Sequence, residues 1–101
     1  MLDTNIKNQL TSHFASITSP VELLIALDDS NKSTELKNLA NDLASLSDKF
    51  SVRDNPNQDV RRPSMVVSSP INNTQITFAG VPMGHEFTSL ILALLHTGGH
   101  P

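Results

Sequence analysis

Arg61-Arg62-Pro63-Ser64-Met65-Val66-Val67-Ser68-Ser69 joins an X-Pro step directly to a short apolar run. Proline has no N–H to give to a ladder, so Pro63 suits the first position of a strand, and the bond before it is held cis at a cost of only about 0.5–1 kcal/mol. The stretch reads as a cis-proline turn that opens a central strand. Beyond it lie a turn (Pro70-Ile71-Asn72-Asn73) and an alternating strand (Thr74-Gln75-Ile76-Thr77-Phe78-Ala79). After Gly80 and Gly84 a helical pattern runs from His85 to His96. Its apolar face is Phe87, Leu90, Ile91, Leu94 and Leu95, and Gly98-Gly99 provides the positive-φ stop.

The residues before the proline must supply the other strands. Asp3 or Thr4 can cap a helix whose apolar positions Ile6, Leu10, Phe14 and Ile17 follow a 3.6-residue period, and Ser19-Pro20 ends it. Val21 to Leu27 is then a nearly continuous apolar run of strand length, the pattern of a central strand covered on both faces. Ser30 or Ser33 can accept from the first amides of the next helix, which places Leu36, Leu39, Leu43 and Leu46 on one stripe. Ser47-Asp48 breaks it, and Phe50 and Val52 alternate with polar residues as in a half-exposed strand.

Strand, helix and strand of these lengths make a right-handed parallel unit. Asp54 to Arg62 is a polar loop containing Pro56. The predicted architecture is therefore one α/β domain over residues 1–101, thioredoxin- or glutaredoxin-like. It has a four-stranded mixed sheet, helices on both faces and an extra N-terminal helix. The strand after cis-Pro63 lies beside the first strand.

Composition narrows the function. A chain of 101 residues has room for one modest core, and with four Phe and no Trp or Tyr that core is mostly aliphatic. Seven Lys and Arg against ten Asp and Glu give a net charge of −3. That balance argues against a nucleic-acid partner, since phosphate binding needs clustered cations; the adjacent Arg61 and Arg62 read as a solvated loop pair. With no cysteine the chain has no thiolate nucleophile, disulfide or cysteine-held metal. The start, Met1-Leu2-Asp3-Thr4, lacks the order of a signal peptide, and no apolar run approaches the roughly 20 residues of a membrane span. A soluble, cytoplasmic protein is expected.

In a thioredoxin fold the working dithiol lies between the first core strand and the helix after it, because the helix N-terminus stabilises a thiolate. Here that position holds Ser30-Asn31-Lys32-Ser33. Hydroxyls cannot form a disulfide, and no histidine nearby in sequence could activate them, so the pair reads as a structural helix cap. His13, His85, His96 and His100 lack a compact ligand spacing, and no metal is expected. Gly84-His85-Glu86-Phe87 puts a carboxylate in the first turn of the last helix. Glu86 there either complements the helix dipole or serves a proton-transfer partner outside the chain.

Several segments resemble the start of a known family. Met1-Leu2-Asp3-Thr4-Asn5, Pro20-Val21-Glu22-Leu23, Leu27-Asp28-Asp29-Ser30, Arg62-Pro63-Ser64, Phe78-Ala79-Gly80, Gly84 to Leu90 and Leu92 to Pro101 are similar to the opening of the F subunit of alkyl hydroperoxide reductase, a flavoprotein. The resemblance implies two fused thioredoxin-like halves, of which this chain is the first, without cysteines. The second half, not present here, carries the Cys-x-x-Cys that reduces the peroxiredoxin, which is the C subunit of that system. FAD and NAD(P)H domains would follow in the longer protein, itself expected to be a homodimer. The chain alone is then expected to be no enzyme and to bind no cofactor. The resemblance also places the family's glutamate on Glu86, facing the disulfide of the second half and assisting its proton transfers. The competing expectation is a stand-alone, redox-inactive interaction module that docks a peptide near Pro63.

Overall fold

A computed structural model describes residues 3–56, 59–60, 62–71, 75–82 and 85–99. The elements follow the predicted order: α1 (Thr4–Phe14), β1 (Val21–Ala26), α2 (Asn31–Ala44), β2 (Phe50–Asp54), β3 (Ser64–Ser68), β4 (Gln75–Ala79) and α3 (His85–Thr97). The strands form one sheet in the order β2-β1-β3-β4. β1 runs parallel to β2 and antiparallel to β3, which pairs antiparallel with β4. The Arg62–Pro63 bond is cis. This is the predicted thioredoxin-like mixed sheet. The turn residues Asn72 and Asn73, and Thr74, lie outside the described residues.

Two helices stop earlier than their apolar patterns suggest. Asp3 caps α1 by accepting from the Ile6 amide at 2.8 Å. The helix ends at Phe14, before Ile17, because the next turn tightens: the Ile17 amide bonds to the Phe14 carbonyl at 3.0 Å and the Ser16 hydroxyl to that of His13 at 2.9 Å. Ile17 is still buried, delivered to the core by the turn. Likewise α2 ends at Ala44, where the Ser45 hydroxyl donates back to the Asp42 carbonyl, and Leu46 reaches the core from outside the helix.

The core lies against one face of the sheet. Val21, Leu23 and Ile25 of β1, Phe50 of β2, and Met65 and Val67 of β3 meet Leu10 and Phe14 of α1, Leu36, Leu39 and Leu43 of α2, and Leu90 and Leu94 of α3 in a single cluster. The helical layer is thus gathered on that face instead of being divided between two. The reason is in the alternate residues: Glu22, Ser51, Arg53, Ser64, Ser68, Gln75 and Thr77 share the second face by register, and Glu22 pairs with Arg53 at 3.1 Å. Only Leu24 and Val66 are large and apolar among its central positions, and the segment carrying Asn55, Pro56 and Val60 borders them. A face this polar does not drive a helix onto itself.

The end of α3 is fastened to the connection before β1. The Gly98 carbonyl accepts from the amides of both Thr18 and Ser19, each at 3.0 Å. Gly99 takes the left-handed conformation, φ 94°, that ends the helix. Gly98 is needed for a different reason, since a Cβ there would sit 2.6 Å from Ile17 Cγ2.

Candidate functional site

The sheet register brings three corners to one end of the molecule. Ala26, Ser64 and Ala79 are neighbours across β1, β3 and β4. Hence the exit of β1 toward α2, the Pro63 turn into β3 and the exit of β4 toward α3 leave from the same row. The Pro63 carbonyl accepts from the Gly80 amide at 2.8 Å, tying two of these corners together. A cleft of about 230 Å³ beside them is lined by Ile25, Ala26, Leu27, Asp54, Asn55 and Arg62.

At the first corner stand the residues of the expected dithiol position. Ser30 is the N-cap of α2, accepting from the Ser33 amide at 3.2 Å. Asn31 and Lys32 begin the helix exposed, and Lys32 reaches Glu35 in a solvent-screened pair at 3.9 Å. Ser33 is buried, and its hydroxyl is fully engaged: it accepts from the Asp28 amide at 2.8 Å and donates to Asp28 Oδ1 at 2.7 Å. The same carboxylate oxygen accepts from the Ser30 hydroxyl and, at 2.9 Å, from the Ser30 amide.

Asp28 is the residue that sequence reasoning passed over. Its spacing was a signal: an Asp two residues before a capping serine can fold back onto the amide at i+2. The Ser30 hydroxyl, then the Ser33 hydroxyl and the Ser30 amide, stabilise the carboxylate and hold it down at about 2 from an ordinary 3.8. A carboxylate so stabilised is a poor base. Both hydroxyl protons are already committed to it, so the corner is built to accept hydrogen bonds and not to generate a serine nucleophile.

Glu86 is exposed in the first turn of α3 and, among the described residues, has no ion-pair partner. Phe87, its neighbour, lines an apolar groove of about 260 Å³ between α1 and α3 with Ile6, Leu10, Ile91 and Leu92. Gly84 and His100 lie outside the described residues, as does the side chain of His85. Among the described residues there is no group of three or more His, Cys, Asp or Glu that could hold a metal.

Comparison with known proteins bears on this arrangement. No family model matches the chain. It is 52% identical over its full 101 residues to the F subunit of alkyl hydroperoxide reductase from Escherichia coli. The chain matches the N-terminal part of that reductase subunit. It spans only about a fifth, 19%, of the length of the Escherichia coli relative. Among solved structures, the N-terminal domain of the Enterococcus faecalis alkyl hydroperoxide reductase AhpF superposes with a TM-score of 0.87 at 31% identity. That match covers all of this chain and 55% of the other. A protein disulfide oxidoreductase from Aeropyrum pernix, 16% identical with a TM-score of 0.75, shares the fold; 96% of this chain lies on 49% of that one.

The name of the Escherichia coli relative, a reductase subunit, raises the question of a flavin or nicotinamide site in this chain. The turn from β1 into α2 does not fit one. A dinucleotide pyrophosphate rests on a glycine-rich turn at a helix N-terminus. The turn from β1 into α2 is instead Leu27-Asp28-Asp29-Ser30, without glycine and with an anionic side chain folded over the amides. Among the described residues no helix is long and apolar enough to cross a membrane.

Proposed function

We propose that this chain is the cysteine-free half of a paired thioredoxin-like unit in a flavin-dependent reductase, where it scaffolds a neighbouring half that carries a Cys-x-x-Cys. The observation that carries the reading is the β1–α2 corner. It keeps the fold's dithiol position but fills it with Ser30 and Ser33, whose hydroxyls are both spent on Asp28. Support comes from the Enterococcus faecalis domain, which holds nearly as much chain again as this one covers.

In this reading FAD and NAD(P)H belong to other parts of the longer, cytoplasmic, homodimeric protein. Its electrons pass through the second half to the peroxiredoxin, which reduces alkyl hydroperoxides. Glu86 is the contribution of this half to the chemistry. Thiol–disulfide exchange requires the attacking sulfur to lose a proton and the departing sulfur to gain one. An exposed carboxylate in the first turn of α3 can accept the first proton and return it to the second.

The test is Glu86→Gln in the full-length reductase. Reduction of the flavin by NADH should be unaffected, while electron transfer to the peroxiredoxin slows. Unchanged peroxide turnover removes the proton-transfer role. Whether the chain is part of such a reductase is checked separately, by the mass and visible spectrum of the native protein. A colourless product of this chain's size would point to a free-standing interaction module.

A further inference from the structure

Resting on the reading of Ser30–Ser33 as the former dithiol position, we infer that Asp28, Ser30 and Ser33 form a cooperative hydrogen-bonded latch. It locks the β1–α2 corner in one conformation without a covalent link. Three backbone amides end on the side chains of this trio. The Asp28 amide donates to Ser33 Oγ at 2.8 Å, the Ser30 amide to Asp28 Oδ1 at 2.9 Å, and the Ser33 amide to Ser30 Oγ at 3.2 Å. Each side chain in turn holds another: both hydroxyls donate to Asp28 Oδ1, and the two hydroxyl oxygens lie 3.4 Å apart.

The bonds form a closed circuit, so each group that accepts from the backbone is itself oriented by a second member. An isolated cap would need only Ser30. The circuit also needs Ser33, which is 2% exposed although it is a hydroxyl in the first turn of a helix. Its burial is tolerated because both its donor and its acceptor capacity are used. A dithiol at this place opens and closes with its oxidation state. The latch has no such dependence, and it presents one unchanging surface at the end of the sheet where the Pro63 turn also lies.

Amide hydrogen exchange on the chain, read residue by residue by NMR, separates a latch from three independent caps. Ser33→Ala deletes the acceptor of the Asp28 amide but leaves the acceptors of the Ser30 and Ser33-position amides in place. A cooperative latch requires exchange at all three to rise together, by about tenfold or more, with β3 amides unchanged. Acceleration confined to the Asp28 amide overturns the proposal. Should Ser33→Ala unfold the chain, Asp28→Asn keeps the shape and weakens the central acceptor. The Ser33-position amide, which does not touch Asp28, must then also exchange faster, and its staying at the wild-type rate overturns the proposal as well.

Discussion

The rings of Phe14 and Phe50 meet edge to face, with centroids 4.9 Å apart and planes inclined at 74°. Phe14 is the last residue of α1 and Phe50 the first of β2, so one contact between two element ends joins the N-terminal helix to the edge of the sheet. The chain has four phenylalanines and no larger aromatic, and its core has few other groups of this size. Phe14→Ala should cost about 3–5 kcal/mol, the range for truncating a buried aromatic, with Phe14→Leu costing clearly less. Urea denaturation measures both. A loss below about 1 kcal/mol for Phe14→Ala, well under that range, would show that α1 does not contribute to the cooperative unit.

Gly98→Ala should destabilise by about 1–3 kcal/mol through overpacking, because the added methyl meets Ile17 Cγ2 at 2.6 Å. The double variant Gly98→Ala/Ile17→Ala, which removes both Ile17 Cγ atoms that the new methyl would meet, should lose less than the sum of the two single losses. Denaturant midpoints for the single and double variants decide the matter, and additive losses would place the strain elsewhere.

Thr97 is 1% exposed, and its hydroxyl has no hydrogen-bond partner among the described residues. An unsatisfied buried hydroxyl costs roughly 1–3 kcal/mol, so Thr97→Val, which keeps the shape, should raise the melting temperature. Equal or lower stability in calorimetry would indicate a bound water completing the site.

The acid limb of stability should carry the signature of Asp28. Its pKa falls from 3.8 to about 2 on folding, so the unfolded chain binds the proton more tightly. The stabilisation is complete above about pH 4 and disappears as pH falls through about 2. Asp28→Asn should flatten this limb and leave the profile above about pH 5 parallel to wild type. An unaltered acid limb in that variant would assign the loss to other carboxylates.

Much of this fold was legible because its signals are local and agree. Pro63 before an apolar run, Gly98-Gly99 after the last helix and the strand-length run at Val21 each reflect a backbone constraint. What was missed depended on contacts distant in sequence or on direction. Ile17 and Leu46 extend the helical period by eye, yet serine hydroxyls close the helices first, and period alone carries no such information. The apolar run of β1 suggested cover on both faces; the polar neighbours Ser51 and Ser68 of Glu22, and Arg53 of Leu24, appear only once the register is known. At the candidate site, the capping role of Ser30 was readable from spacing. The second anchor, Asp28, was in plain view, but its orientation toward both hydroxyls is a matter of three dimensions.

The paired bonds from Thr18 and Ser19 to the Gly98 carbonyl also set an order of events. They close a loop that spans most of the chain, so their entropic cost is met only after β1, β3 and β4 have assembled. On a ribosome, the connection before β1 waits for the last turn of α3 to emerge before it is clasped. Weakening the clasp should therefore speed unfolding far more than it slows folding, and the chain would lose its native lifetime before it lost its ability to fold.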